Sequence, residues 1–379
     1  MKLGIDLIDQ YLDVFKGKRV GLMTNTSGVN SQLQSTINIM KAKTNLVALF
    51  APEHGVRGNF QAGEKFLTYT DEETGVLVHS MYGENRRPTK EMLDQIDILC
   101  IDIQEVGSRF YTYIYSMAYA MEACKEYQKT MVVFDLPNPI NGVDVEGNIL
   151  DFNYRSFIGY YPIVQRYGMT IGELALMFNE EDNIRCDLKI IPMKGWRRKM
   201  YFEETGLSWV FPSPNLPTID STIVYNGTCI FEGTNISEGR GTTVPFQLVG
   251  APFIKPHELA KALNDQQLKG VIFRPQYFTP SFSKYAGTLC AGVFVHVLNR
   301  RSFEPVKTGW TMLEILRQLY PQEVKILPPF RENRPCMLEL NTGCDYIKAQ
   351  KYSLAELALI LKEDTQKFKQ TRKKYLIYK

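Results

Sequence analysis

The chain has 379 residues, 44% of them apolar and 22% charged, with a formal net charge of +3. This is the composition of an ordinary globular protein long enough for two domains, and so balanced a charge gives no electrostatic case for nucleic-acid binding, which needs a concentrated basic face. No stretch reaches transmembrane length, and the N-terminus Met1-Lys2-Leu3-Gly4-Ile5-Asp6 lacks the apolar core of a signal peptide; the expectation is a cytoplasmic protein, or an extracellular or periplasmic one if a leader has been trimmed.

The first half repeats one pattern, an apolar run of strand length that breaks into a polar cluster. Val20 to Met23 runs into Thr24-Asn25-Thr26-Ser27-Gly28, and Leu46 to Phe50 into Pro52-Glu53-His54-Gly55. Val76 to Val78, Ile98 to Ile101 and Met131 to Phe134 do the same, the last two ending in Asp102-Ile103-Gln104-Glu105 and Asp135-Leu136-Pro137-Asn138. Helical segments are predicted between them at 32–43, 89–95 and 109–127. Continuously apolar strands alternating with helices imply βαβ units and a mostly parallel sheet buried on both faces. No G-x-G-x-x-G follows the first strand, so the expected domain is Rossmann-like without a dinucleotide fingerprint.

In a parallel sheet all these polar tails leave by one edge, where open α/β folds bind ligands. Asn25, Glu53, His54, Asp102, Gln104, Glu105, Asp135 and Asn138 are therefore expected together, joined by Arg57 and by Arg109 and Tyr111 at the start of the 109–127 helix. The remaining aromatics of that helix read as core.

A helix at 170–179 is expected to close a catalytic domain of residues 1–185, followed by a smaller α+β auxiliary domain of residues 186–379 that completes a cleft. The second part begins with a strand at 188–193 and a Pro-rich loop at 212–218. Next comes a dense polar stretch, Phe231-Glu232-Gly233-Thr234-Asn235-Ile236-Ser237-Glu238-Gly239-Arg240-Gly241-Thr242-Thr243. Apolar flanks on both sides favour a binding loop, with Glu232, Asn235, Glu238 and Arg240 as its candidates. Helices at 257–268, 310–319 and 354–375 and strands at 270–273 and 290–297 complete the prediction.

Seven scattered cysteines without C-x-x-C suggest neither a disulfide framework nor a zinc site. Four distant histidines and no H-E-x-x-H give no metal motif, so no metal or cofactor is expected. Carboxylates beside amides and aromatics suit glycoside hydrolysis, which needs an acid for the leaving oxygen and a second group at the oxocarbenium-like centre. Glu53, behind Pro52 and in apolar surroundings, is the candidate general acid, with His54 and Glu105 as further catalytic candidates. Arg57 and Arg109 are candidates to hold a substrate carboxylate through paired hydrogen bonds. A rival chemistry rests on Ser281-Phe282-Ser283-Lys284, which matches the S-x-x-K of serine acyl-enzymes, with Lys307-Thr308-Gly309 spelling K-T-G outside any apparent strand. A non-catalytic cell-wall sugar-binding protein is the alternative from another class.

Three long motifs carry a resemblance: Ala51-Pro52-Glu53-His54-Gly55-Val56-Arg57-Gly58, then Asp102 to Tyr113, then Phe231 to Thr242. With Ser213 to Thr218 and Phe282 to Gly287, they resemble a bacterial family once catalogued as a domain of unknown function, the exo-β-N-acetylmuramidases. The resemblance spans nearly the whole chain. It implies a Rossmann-like domain with an auxiliary domain, an active site between them, and removal of N-acetylmuramic acid from non-reducing ends of peptidoglycan fragments. It places the family's catalytic glutamate on Glu53. The chain departs from the family pattern at Glu105 (usually Asp), Tyr167 (usually His) and Leu136 (usually Arg). A muramic acid substrate carries a lactyl carboxylate suited to Arg57, Arg109 or Arg240. It also carries a 2-acetamido group able to attack the anomeric carbon itself, so retaining, inverting and substrate-assisted routes all stay open.

Overall fold

The computed structural model describes the whole chain except Glu53, His54, residues 59–67, Tyr82, Glu84 and Asn85. The catalytic candidates Glu53 and His54 thus lie outside the described residues, although Pro52 and Gly55 on either side are described and buried.

Among the described residues ten strands form two sheets. The first holds β1 (Arg19–Thr24), β2 (Asn45–Ala51), β3 (Tyr69–Thr70), β4 (Leu77–Ser80), β5 (Ile98–Asp102), β6 (Thr130–Phe134) and β7 (Asp187–Ile191) in the order β3-β4-β2-β1-β5-β6-β7. All its pairings are parallel except β3 with β4. Leaving aside the two-residue β3, the parallel strands read 3-2-1-4-5-6 in chain order, the doubly wound arrangement, with its switch point between β1 and β5. Their apolar runs are buried because helices cover both faces: β1 is buried from its second residue on and β5 throughout. The second sheet is antiparallel, β8 (Leu248–Ala251), β10 (Cys290–Val297) and β9 (Val271–Phe278) in the order β8-β10-β9.

The helices are α1 (Leu12–Phe15), α2 (Thr36–Lys43), α3 (Lys90–Leu93), α4 (Tyr113–Glu126), α5 (Ile171–Glu181), α6 (Ile219–Thr228), α7 (Pro256–Asn264), α8 (Pro305–Leu319), α9 (Met337–Thr342) and α10 (Leu354–Arg372). α5 starts at a capping box in which the Thr170 hydroxyl accepts from Glu173 N–H and the Glu173 carboxylate accepts from Thr170 N–H. α7 turns Leu259, Ala260 and Leu263 inward at helical spacing against β9 and β10. Among the described residues no helix is long and apolar enough to cross a membrane. All seven cysteines are buried and free.

Two predicted boundaries move. β7 pairs in parallel with β6, so the division expected at 185/186 cuts off a strand of the large sheet; the strand at 188–193 belongs to the first sheet and not to the auxiliary part. The helix predicted over 109–127 starts only at Tyr113. Ser108 pairs with Arg166 in an isolated antiparallel bridge, Arg109 N–H donates to Gln165 O at 2.7 Å, and Tyr111 N–H closes a turn onto Ser108 O at 3.1 Å, so the stretch is engaged before the helix can begin.

Candidate active site

The switch point is bound together by the loops that leave β1 and β5. The Thr24 hydroxyl donates to Asp102 O (2.8 Å), and Gln104 N–H donates to Ser27 Oγ (3.0 Å). Gly28 sits where the loops touch: a Cβ there would lie 2.0 Å from Thr24 Oγ1 and 2.9 Å from Asp102 O. Asn25 is buried, its Oδ1 accepting from Ser27 N–H and O–H (2.9 and 2.6 Å) and its Nδ2 donating to Pro212 O (3.2 Å). Tyr113 O–H donates to the same Pro212 carbonyl at 3.0 Å, so the Pro-rich loop of the second half is pinned directly onto the sheet edge.

Three carboxyl groups lie buried along that edge. Asp102 accepts from the hydroxyl of Thr36, the first residue of α2, and burial pushes its carboxyl up to about 7. Glu105 accepts from Tyr167 O–H and Gly107 N–H, and burial pushes its carboxyl up to about 8. Asp135 is pushed up to about 7, again by burial. It accepts from Leu136 and Gly172 N–H (3.1 and 2.7 Å) and from the hydroxyls of Thr170 and Tyr378 (2.8 and 2.6 Å). With four donors around it, Asp135 ties the start of α5 and the C-terminal tail to β6 and has no acceptor position left for a substrate. The amides also bond to backbone. Gln104 Nε2 donates to Glu105 O and Pro137 O (2.7 and 2.9 Å); Asn138 Nδ2 donates to Met169 O (2.9 Å), and its Oδ1 accepts from Ile140 N–H (3.1 Å). Of the expected group, Asn25, Asp102, Gln104, Glu105, Asp135 and Asn138 lie along this edge, where Asp135 and Asn138 hold loops in place and Gln104 ties its loop through Nε2.

The two arginines chosen to hold a carboxylate are corrected in the same way. Arg109 is completely buried and donates to four carbonyls: Nη1 to Asn148 O and Ile163 O (2.7 and 2.9 Å), Nη2 to Asn341 O and Thr342 O (3.3 and 2.7 Å). It is a bolt between the two halves. Arg57 turns its fork onto Asp71 (Nε 2.9 Å, Nη2 3.0 Å) and its Nη1 onto Glu73 (2.9 Å). Asp71 is buried, and the hydrogen bond from Arg57 draws its carboxyl below the usual range.

The polar loop of the second half does meet the first. Tyr111 packs edge-on against Tyr225 of α6 (6.1 Å between ring centres), Tyr225 against Phe246 (4.7 Å), and the Arg240 guanidinium lies 5.1 Å over Phe246. Arg240 pairs with Glu232 and, through Nε, with Glu238 at 3.3 Å. Glu238 is buried and also takes Lys284 Nζ at 2.9 Å. Glu232, Asn235 and Arg240 are all half-buried, and of these Glu232 and Arg240 pair with each other beside the aromatic row. Asn235 instead clamps another segment, donating to Glu323 O and accepting from Lys325 N–H, both at 2.8 Å.

The same contacts remove the serine acyl-enzyme reading. Ser281 O–H donates to Gly241 O (2.9 Å), while Lys284 Nζ donates to Phe231 O, Ile236 O and Glu238 (2.7, 3.0 and 2.9 Å). Neither group is a partner of the other, and Lys307-Thr308-Gly309 lies inside α8. Sequence reasoning missed Thr36, Ser27 and Tyr378, which hold Asp102, Asn25 and Asp135. Single hydroxyls bonding to residues 66 or 243 positions away, or to a near neighbour inside a loop, leave no pattern in a chain. Among the described residues no cluster of three or more His, Cys, Asp or Glu is arranged to hold a metal ion.

Two family models cover the chain: the N-terminal model of exo-β-N-acetylmuramidase NamZ matches residues 20–220, and the C-terminal model matches residues 223–378. The chain is 50% identical to the peptidoglycan β-N-acetylmuramidase NamZ of Bacillus subtilis (strain 168), over 100% of its own length and 91% of that protein's. Crystal structures of two DUF1343 family proteins of Bacteroides fragilis are also similar. One superposes with a TM-score of 0.91 at 38% identity and the other with 0.76 at 33%, each over 100% of this chain and 99% of the other.

Proposed function

The chain belongs to the exo-β-N-acetylmuramidase NamZ family, and on that footing we propose that it is a glycoside hydrolase removing terminal β-linked N-acetylmuramic acid from the non-reducing ends of peptidoglycan fragments. The observation that carries this is the 50% identity, over the full length of the chain, to a peptidoglycan β-N-acetylmuramidase. The fold is consistent with it, since the parallel strands deliver their polar tails to a switch point of the kind where such sheets bind small molecules.

Glu53 is the acid that protonates the leaving oxygen. It follows Pro52 directly after the carboxyl end of β2, the strand beside β1 at the centre of the sheet, and His54 adjoins it in the chain. Glu105 takes a positioning role. Its carboxyl is fully buried and burial pushes it up to about 8, which disfavours the charged form that a nucleophile or an electrostatic stabiliser of an oxocarbenium-like centre needs. What it does instead is hold Gly107 N–H and Tyr167 O–H, and with them the loop that leaves β5. Glu232 and Arg240, partly exposed next to Tyr111 and Tyr225, supply polar contacts from the second half.

The test is release of free N-acetylmuramic acid from a chromogenic β-N-acetylmuraminide by the wild type and by Glu53→Gln. Release by the wild type alone supports both the glycosidase and the assignment of Glu53. Release by both keeps the activity and removes Glu53 from the acid's position, and release by neither, with folded protein, overturns the reading.

A further inference from the structure

The open face of the small sheet carries a groove separate from the switch point. Its volume is about 560 Å³, within the range of small-molecule and oligosaccharide sites. β9 contributes Arg274, Gln276 and Phe278 on one face, β10 contributes Phe294 opposite Arg274, and Thr242 and Phe282 close the sides. Arg274 lies 5.7 Å over the Phe294 ring, donates to Gln276 Oε1 at 2.6 Å and to His296 Nε2 at 3.2 Å, and His296 stacks on Phe294 at 4.2 Å.

Two features mark the groove as built for a ligand. Phe282 is 53% exposed at its rim, and the loop that holds it there contains Ser283 and Tyr285 in the left-handed region (φ 69° and 59°). Non-glycine residues in that region are costly to hold and gather at functional sites. Second, the groove is continuous with the polar loop of the candidate active site. Arg240 meets Glu232 and the aromatic row, while Gly241 and Thr242, next along the chain, line the groove. Gly239 and Gly241, both at positive φ (78° and 81°), let the backbone turn from one place to the other. At Gly241 a Cβ would lie 2.4 Å from Phe282 O, so this loop and the Phe282 loop are packed as one wall.

We propose that this groove holds the glycan that continues beyond the terminal muramic acid. The exposed Phe282 takes the apolar face of an amino-sugar ring, and Arg274, Gln276 and Thr242 meet the hydroxyl, acetamido and carboxylate oxygens. Aromatic faces with a few polar groups around them are what an amphipathic sugar ring requires. The assignment rests on the muramidase function proposed above.

Two substrates separate the two claims: the chromogenic β-N-acetylmuraminide, which has no glycan to place in the groove, and a peptide-free peptidoglycan tetrasaccharide ending in muramic acid. Phe282→Ala and Arg274→Ala, both on exposed side chains, raise KM for the tetrasaccharide about fivefold with kcat unchanged, while kcat/KM for the chromogenic substrate stays within about twofold. Unchanged tetrasaccharide kinetics in both variants, or equal losses on both substrates, overturns the groove assignment and leaves the activity standing. A wild type that cleaves neither substrate overturns the muramidase function itself.

Discussion

Replacing Arg109 by Met distinguishes a structural bolt from a substrate ligand. The guanidinium is completely buried and donates four hydrogen bonds, two to carbonyls at Asn148 and Ile163 in the first half and two at Asn341 and Thr342 in the second. A hydrogen bond from a charged donor is worth about 1.5–3 kcal/mol net. The four do not add, because the cation itself is taken out of water with no carboxylate beside it. Removing it relieves that desolvation but strands four carbonyls away from solvent, and the balance is a loss of about 3–5 kcal/mol. For parts of this size that lowers Tm by about 10 °C. The assay is a thermal melt by circular dichroism, paired with kinetics on the chromogenic β-N-acetylmuraminide at a temperature where both proteins are folded. The expected result is a large drop in Tm with KM unchanged. A melt within about 2 °C of wild type together with a tenfold rise in KM would refute the bolt and return Arg109 to the substrate.

Stability should also depend on pH through the buried carboxyls. Glu105 titrates at about 8 in the folded chain and Asp102 and Asp135 at about 7, against about 4 in an unfolded chain. The folded state keeps protons that the unfolded state releases, so stability is greatest below about pH 4 to 5 as far as these groups are concerned. It falls as pH rises toward 8, by up to about 1.4 kcal/mol per pH unit for each group. Glu105→Gln removes one such group, and its Tm against pH from 5 to 8 should be shallower than wild type; parallel curves would sink the assignment. Tyr378→Phe removes the donor to Asp135 Oδ2 (2.6 Å) and the acceptor of Met193 N–H (2.8 Å) while leaving the ring against Trp196. A loss of about 1–2 kcal/mol in urea unfolding is expected, and an unshifted midpoint would show that the C-terminal tail does not anchor the sheet edge.

The large sheet was legible because its strands are apolar on every residue. Val20 to Met23, Leu46 to Phe50, Ile98 to Ile101 and Met131 to Phe134 all became buried parallel strands close to where the pattern placed them. β7 was assigned to the wrong unit for a physical reason. Its edge position leaves Asp187 and Lys189 exposed and Leu188 and Ile190 half-buried, so Asp187-Leu188-Lys189-Ile190-Ile191 alternates and reads like an outlying strand. The late start of α4 was hidden because the bridge from Ser108 to Arg166 joins residues 58 apart, and local helical periodicity carries no trace of it.

The position of the polar residues was legible in a way their roles were not. Parallel strands force their tails to one edge, so Asn25, Asp102, Gln104, Glu105, Asp135 and Asn138 had to gather there. At that edge, however, the loops are themselves buried beneath the second half, and a buried loop must find partners for its own N–H and C=O groups. Asn25 and Tyr113 therefore serve or use the Pro212 carbonyl, Gln104 the carbonyls of Glu105 and Pro137, and Arg109 four carbonyls at once. A polar residue at a strand's carboxyl end is as well suited to satisfying backbone as to binding substrate, and only burial separates the two uses. In the loop from Glu232 to Arg240 burial sets apart Glu238 alone, which Lys284 and Arg240 hold. Asn235 is half-buried and spends both ends of its amide on Glu323 and Lys325, whereas Glu232 and Arg240, half-buried as well, pair with each other beside Phe246. The rigid network under the edge is what lets those two groups keep a fixed geometry, since side chains locked by their neighbours hold a site more closely than side chains left free.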